Sequence, residues 1–324
     1  MNILVVRTDK LGDFITALPT LYALKQHDPR NKVFACVAPL NEELAEACDF
    51  IDGVIVDEGG SLWKFSRKLK KAKIDASVTL FSNTRVALAQ FLARIPVRIA
   101  PATKAAQLFY TNRIRQRRSS VKMAEYEYNL ELATALFPGI DLSFRSPLLR
   151  FEKKEIEEAY RKFCDRYGVT KPVVAFHPGF GGSSDANWTL DEYVELVKVA
   201  AGNPEVQAVM TFGPGEEELY RQSVDKCEGL DVIFYRSREG IVAFAALLAS
   251  FRLFVSTSTG TYHLAAAVGT PTMTFFADSL FASVKRWKAV SDERLQHPYM
   301  LSSDEARRLE QFETVKRELA ELLV

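Results

Sequence analysis

Apolar residues in this chain come in short β-branched runs, separated by longer stretches in which they recur every three or four positions. That alternation predicts a parallel sheet flanked by helices, repeated along the chain. In the first half, residues 2–7, 33–37, 54–56 and 77–80 read as strands. Phe14, Leu18, Leu21 and Tyr22 fall near helical spacing, and Pro19 is tolerated there if the regular helix begins close to Thr16. The second half repeats the plan, with strands expected at 173–176, 208–212, 232–235, 253–256 and 272–276. Thr189 followed by Glu192 forms a capping box for a helix over 190–200. Between the halves, Pro138-Gly139 and Pro147 punctuate, and a charged helix is expected over 153–167.

A length of 324 residues exceeds what one hydrophobic core usually serves, so two domains are the natural division. The expected fold class is α/β, with two Rossmann-like lobes at 1–150 and 151–303. The charged amphipathic stretch 304–324 is an additional helix that could pack on either lobe.

Composition narrows the function classes. Hydrophobic residues make up 48% and charged residues 26%, as in an ordinary globular protein rather than a disordered one. The longest apolar runs stop well short of the ~20 residues that a membrane span needs. The opening apolar stretch, 3–6, is too short for a secretory signal and meets Arg7, Asp9 and Lys10 at once, so a cytoplasmic location is expected. Cys36, Cys48, Cys164 and Cys227 are widely spaced, which suggests neither a zinc site nor a disulfide framework. The net charge of +1 hides an asymmetry: residues 61–124 carry fifteen Lys and Arg against one acid, Asp75. Such a field favours anionic partners: a phosphorylated glycolipid, membrane headgroups or nucleic acid. For the run at 64–73 the plain alternative is a helix face that carries lysine for solubility. Arg113, Arg115, Arg117 and Arg118, crowded beside Phe109 and Tyr110, fit that alternative less well. No nucleic-acid-binding module is recognisable, so nucleic acid is not the expected partner.

Candidate chemistry collects where strands end. Arg7-Thr8-Asp9-Lys10-Leu11-Gly12-Asp13 is the turn after the first strand, and ligands of open α/β sheets bind at such carboxyl ends. Gly12 lets the backbone approach a ligand, and Asp13 stands at a helix entrance, as a base or simply as a favourable N-terminal carboxylate. His177-Pro178-Gly179-Phe180-Gly181-Gly182-Ser183-Ser184 follows a strand and offers free backbone N–H groups and hydroxyls suited to a phosphate. It matches neither the Walker A loop nor the dinucleotide fingerprint, and an ordinary connection remains an equal reading. Ser256-Thr257-Ser258-Thr259-Gly260-Thr261-Tyr262-His263 leads from a strand into a helix expected over 263–267, a second anion site in which His263 is either a ligand contact or a capping or core residue. Gly213-Pro214-Gly215-Glu216-Glu217-Glu218 follows another strand, where a carboxylate can accept from a ribose diol or merely start a helix.

The segments Ile3 to Arg7 and Leu11-Gly12-Asp13, His177-Pro178-Gly179 through Asn187-Trp188, Gly213 to Glu217, and Ser258 to Pro271 together resemble glycosyltransferase family 9, the ADP-heptose:lipopolysaccharide heptosyltransferases. The likeness runs in the same order over nearly the whole chain. It implies a GT-B fold, with lobes facing across a cleft, and inverting transfer without a metal or other cofactor. The favoured donor is ADP-heptose and the implied acceptor a lipopolysaccharide core or related anionic glycan, met in peripheral contact with the inner membrane. By position, Asp13 matches the general base, Thr259, Gly260 and His263 match donor positions, and Glu217 matches a ribose ligand. His177, Gly181, Gly182, Ser183, Ser184, Ser258 and Thr261 complete the candidate donor site. Lys10, Gly12, Arg113, Arg115, Arg117 and Arg118 are the candidate acceptor contacts.

Two departures qualify the likeness. Ser258 stands where the family commonly has aspartate, and Ala186 where many members have lysine. They leave open another donor, a sugar-nucleotide-binding protein without transferase activity, and a hydrolysing sugar-nucleotide epimerase of the same fold.

Overall fold

The computed structural model describes residues 1–103, 105–179 and 187–324. They divide into two compact units, Met1–Leu148 and Leu149–Val324.

In the first unit the described strands are β1 (Asn2–Arg7), β2 (Lys32–Val37), β3 (Gly53–Val56), β4 (Ala76–Thr79), β5 (Val97–Pro101) and β6 (Asn112–Ile114). They pair in parallel, in the order β3-β2-β1-β4-β5-β6. β1 is central, so Ile3 to Val6 are covered on both faces, which is why this segment reads as a continuous apolar run. The connectors after β3, β4 and β5 lie side by side. Helix Leu62–Lys71 packs on helix Thr84–Leu92, which in turn packs on the short helical turn Ala105–Phe109. Phe65 and Leu69 meet Val86, Ala89 and Ala93 in that layer. Helix Leu18–His27 carries Pro19 in its first turn and packs against helix Glu125–Thr134.

The second unit repeats the topology with β7 (Val173–His177), β8 (Gln207–Phe212), β9 (Val232–Arg236), β10 (Leu253–Thr257), β11 (Thr272–Ala277) and β12 (Gln296–Leu301). Their order is β12-β11-β10-β7-β8-β9, again all parallel. Counted from each unit's first strand, both sheets run 3-2-1-4-5-6, the doubly wound order with a topological switch beside strand 1. Helix Leu190–Ala201 begins with the expected capping box, Thr189 N–H donating to Glu192 Oε2 at 2.6 Å and Glu192 N–H to Thr189 Oγ1 at 3.2 Å. The last helix, Glu305–Leu322, packs on helix Leu190–Ala201 and adds Phe312, Val315 and Leu319 to the core around Phe275, so it is part of the second unit.

Three strands escaped the sequence reading: β5, β6 and β12. β6 and β12 are edge strands, where short or polar sequences suffice and Pro298 costs no ladder bond that a neighbour needs.

Candidate active site

The turn after β1 is organised by one guanidinium. Arg7, at the carboxyl end of β1, is 3% exposed and reaches three carboxylates. Its Nε donates to Asp9 Oδ1 at 2.8 Å, its Nη1 to Glu125 Oε1 at 3.3 Å and its Nη2 to Asp13 Oδ1. Burial works against the Arg7 charge, but the three carboxylates outweigh it and hold its pKa above the usual value. For Asp9 the balance goes the other way. Burial, with the Asp13 carboxylate beside it, outweighs its contact with Arg7 and pushes its carboxyl up to about 6. One cation shared among three acids cannot neutralise them all.

Asp13 lies in the short helix Leu11–Ile15, with its side chain 19% exposed. One oxygen is held by Arg7, and the second has no protein donor among the described residues. The backbone around it is fixed: Phe14 N–H bonds Lys10 C=O at 3.0 Å, and the Thr16 hydroxyl donates to Asp13 C=O at 2.7 Å. Gly12 is buried, and Lys10 is exposed at the N-cap.

The crowded arginines separate into two groups. Arg113, Arg115 and Arg117 are exposed. Arg118 departs from the expectation of a free acceptor contact. Its Nη1 donates to Glu125 Oε1 at 2.5 Å and to Asn129 Oδ1 at 3.2 Å, and its Nε and Nη2 to Gln116 Oε1 at 3.0 and 2.9 Å. Asn129 in turn donates to Thr16 C=O at 3.1 Å. Arg118 therefore buttresses Glu125, which holds Arg7, which holds Asp13. Sequence reasoning missed Glu125, whose acidic side chain at a helix start is 118 positions from its partner.

In the second unit, His177 ends β7 beside the switch with β10 and is 4% exposed. Burial pushes its pKa down, against the nearby Glu216 carboxylate. As a neutral ring it donates Nδ1–H to Thr211 C=O at 3.0 Å, so it anchors the strand end rather than presenting a proton to a ligand. The acidic loop after β8 places its neighbouring glutamates differently. Glu216, not Glu217, turns inward: its Oε2 accepts from Gly213 N–H at 2.6 Å, and its Oε1 lies 3.8 Å from His177 Nε2. A Cβ on Gly179 would lie 1.9 Å from Glu216 Oε1, so a glycine is needed for this crossing. Glu217 is half exposed and ion-paired with Arg236. Pro178, Gly179, Asn187, Trp188, Gly215 and Glu216 help line an open cavity of about 440 Å³. Gly181, Gly182, Ser183, Ser184 and Ala186 lie outside the described residues.

Across the switch, Ser256 pairs in register with His177, and its fully buried Oγ has no partner among the described residues. Helix Gly260–Ala267 starts just beyond. Its first internal bond is His263 N–H to Thr259 C=O at 3.3 Å, which leaves the N–H groups of Gly260, Thr261 and Tyr262 ahead of the helical ladder. The Thr259 hydroxyl makes no cap and instead meets the Thr261 hydroxyl at 2.8 Å. Ser258 is half-buried, and its N–H bonds Phe275 C=O at 3.0 Å. His263 is 3% exposed, its Nδ1 has no partner among the described residues, and burial pushes its pKa down to about 4. It would meet a ligand as a neutral hydrogen-bonding ring.

A brace absent from the sequence reading fixes the start of helix Leu190–Ala201. Arg308, from the last helix, donates to Asn187 C=O at 2.7 Å and lies 4.6 Å above the Trp188 ring. Asn187 also donates to Pro178 C=O at 3.1 Å and accepts from Tyr193 Oη at 3.2 Å.

Comparison with known proteins identifies the family and the fold. The profile of Glycosyltransferase family 9 (heptosyltransferase) matches residues 62–313. A Haemophilus influenzae protein provisionally named a glycosyltransferase is 34% identical over 300 residues, covering 90% of this chain and 86% of its own. Among solved structures, the Escherichia coli ADP-heptose LPS heptosyltransferase II superposes with a TM-score of 0.80 at 18% identity, covering 100% of this chain and 98% of that one. Escherichia coli heptosyltransferase WaaC with ADP superposes at 0.77 and 18% identity, covering 99% and 100%. The fold is thus of the GT-B kind, as the resemblance implied. Because both the profile and the Haemophilus influenzae relative span most of its length, the chain belongs to glycosyltransferase family 9 and is an enzyme of that family.

Proposed function

We propose that this glycosyltransferase moves a heptose or similar sugar from a nucleoside diphosphate donor, ADP-heptose foremost, to a lipopolysaccharide-core or related anionic glycan, with inversion and without a metal. The observation that carries the reading is the state of Asp13. It stands at the carboxyl end of the central strand, one oxygen fixed by Arg7, the other partly open and without a protein donor among the described residues. A carboxylate so held is preorganised to accept a proton. The solved WaaC complex, which contains ADP, supports the choice of nucleotide.

In this mechanism the acceptor hydroxyl attacks the anomeric carbon while its proton passes to the free oxygen of Asp13. The new C–O bond forms as the bond to phosphate breaks, and the nucleoside diphosphate leaves from the opposite side. General-base help of this kind is worth ~10²–10⁴-fold. Charge developing on the leaving phosphate is met by the N–H groups of Gly260, Thr261 and Tyr262, which no helical carbonyl claims. Neutral His263 and the Thr259 and Thr261 hydroxyls add hydrogen bonds without a competing charge. Ser258, in place of an acid, removes a negative charge from beside a bound diphosphate. Glu216 is better disposed than Glu217 to the donor, since it turns toward the loop after β7. Arg113, Arg115 and Arg117, being exposed, remain available to an anionic acceptor, whereas the Arg118 guanidinium is engaged by Glu125 and Gln116.

Asp13→Asn tests the assignment. The variant should bind nucleoside diphosphate as the parent does and release it from donor plus acceptor ~10²–10⁴-fold more slowly. Near-parental turnover of the true substrates would remove Asp13 as the base.

A further inference from the structure

We propose that Phe81 is a platform for the acceptor: an uncharged pyranose ring lies against it while one of the sugar's hydroxyls reaches Asp13. The inference rests on Asp13 as the base, and it adds the chemistry of the sugar that meets that base.

β4 runs beside β1 across the switch of the first unit, with Val6 and Thr79 in register. Residues that follow β4 therefore stand beside the turn that follows β1, where ligands of such sheets bind. Phe81 comes two residues after the end of β4 and is 47% exposed. Its inner side meets Arg7, whose guanidinium carbon lies 5.6 Å from the ring centroid, so the ring borders the same cation that holds Asp13. The chain on either side is tied down. Leu80 N–H donates to Val6 C=O at 3.0 Å, the Ser82 hydroxyl to the Tyr110 hydroxyl at 3.0 Å, and Val86 N–H to Asn83 Oδ1 at 2.8 Å at the start of helix Thr84–Leu92. An apolar ring is thus shown to water from a fixed backbone beside the base.

The charges around the ring select its ligand. Among the described residues, two joined cations, Arg7 and Arg118, face three acids, Asp9, Asp13 and Glu125. Lys10, exposed at the N-cap of the turn, makes no ion pair with them. That surplus of acid, with the negative face of the aromatic ring, disfavours a phosphate or carboxylate against Phe81. A neutral pyranose carries C–H groups on its faces and hydroxyls at its rim, so it can stack on the ring and donate to a carboxylate at once. Anionic groups elsewhere on the acceptor have a separate place. Arg113 Nε donates to Tyr110 C=O at 3.4 Å, so the exposed arginines continue from the residue that Ser82 bonds. A mere cover for Arg7 would account for the inner contact, but it needs no π face.

Saturation-transfer NMR of the full chain with ADP present should detect methyl α-glucopyranoside and methyl α-mannopyranoside, and methyl β-glucuronide several-fold more weakly. Phe81→Ala should weaken the two neutral glycosides about tenfold. Phe81→Leu, which still covers Arg7 but has no π face, should lose nearly as much, whereas Phe81→Trp should stay within about threefold of the parent. All three should melt within a few degrees of the parent, because the ring is half exposed. The proposal is overturned if neither neutral glycoside binds, if the glucuronide binds at least as tightly as the glucoside, or if Phe81→Leu binds as the parent does. Binding is read without transfer, so failure of Asp13 as the base, seen in turnover by Asp13→Asn, would leave these results standing.

Discussion

Two sheets of identical strand order carry opposite electrostatics at the same topological point. Beside β1, polar groups are charged and joined: Arg7 holds Asp9, Asp13 and Glu125, and Arg118 holds Glu125 in turn. Beside β7, the histidines are neutral and two polar atoms are unjoined: His177 and His263 are buried with depressed pKa values, and Ser256 Oγ and His263 Nδ1 have no hydrogen-bond partner among the described residues. A site already satisfied by its own protein is built to keep one group in place, whereas a site with spare hydrogen-bonding capacity is built to be completed by a ligand. The doubly wound topology supplies the location, and residues at the strand ends decide which use is made of it.

The largest test of that contrast is deletion of the cation. Arg7→Met leaves Asp9 and Asp13 without their cation and Glu125 with Arg118, and should cost about 3–5 kcal/mol of stability in denaturant unfolding, with Arg7→Lys recovering part. Ser256→Ala in the other unit should be neutral or slightly stabilising in the free protein, since its hydroxyl bonds nothing among the described residues. Equal losses in the two variants would break the comparison.

Next in size is the response to acid, which should differ in sign between the units. His263 has a folded pKa of about 4, below its usual 6.5, so its contribution to stability is whole above pH 6.5 and is lost as pH falls through 4. That amounts to about 3 kcal/mol. Asp9 has a folded pKa of about 6, above 3.8, so its contribution is whole below 3.8 and is lost as pH rises through 6, by about 3 kcal/mol. Between pH 6.5 and 4, hydrogen exchange corrected for intrinsic rate should show 253–277 losing protection relative to 2–16. His263→Phe should reduce the loss in the second unit to the share left by buried His177, and Asp9→Asn should remove the gain in the first.

The smallest effect distinguishes neighbouring glutamates. Glu216→Ala frees Gly213 N–H and removes the carboxylate facing His177, so it should cost about 1–2 kcal/mol in unfolding experiments. Glu217→Ala removes only a half-exposed pair with Arg236 and should stay within about 0.5 kcal/mol. A reversed order would return the inward role to Glu217.

What the sequence disclosed follows the same division. Central strands such as β1 and β10 are legible because burial on both faces forces unbroken apolar runs. β6 and β12 are not, because an edge strand tolerates Asn112, Arg113 and Pro298. Motif position located the Asp13 turn and a helix after β10, although that helix begins at Gly260, three residues before the expected 263. Partners distant in sequence were invisible: Glu125 for Arg7, and Arg308 for Asn187. Among consecutive acids, pattern alone cannot tell inward from outward, and it took the missing side chain of Gly179 to select Glu216.

The path from Arg118 through Glu125 to Arg7 has an evolutionary consequence. Each member matches the charge of the next, so drift at one position removes a counter-ion from its neighbour. Related chains should therefore alter positions 118 and 125 in concert, and position 7 should accept only another cation, although none of the three need ever meet a sugar.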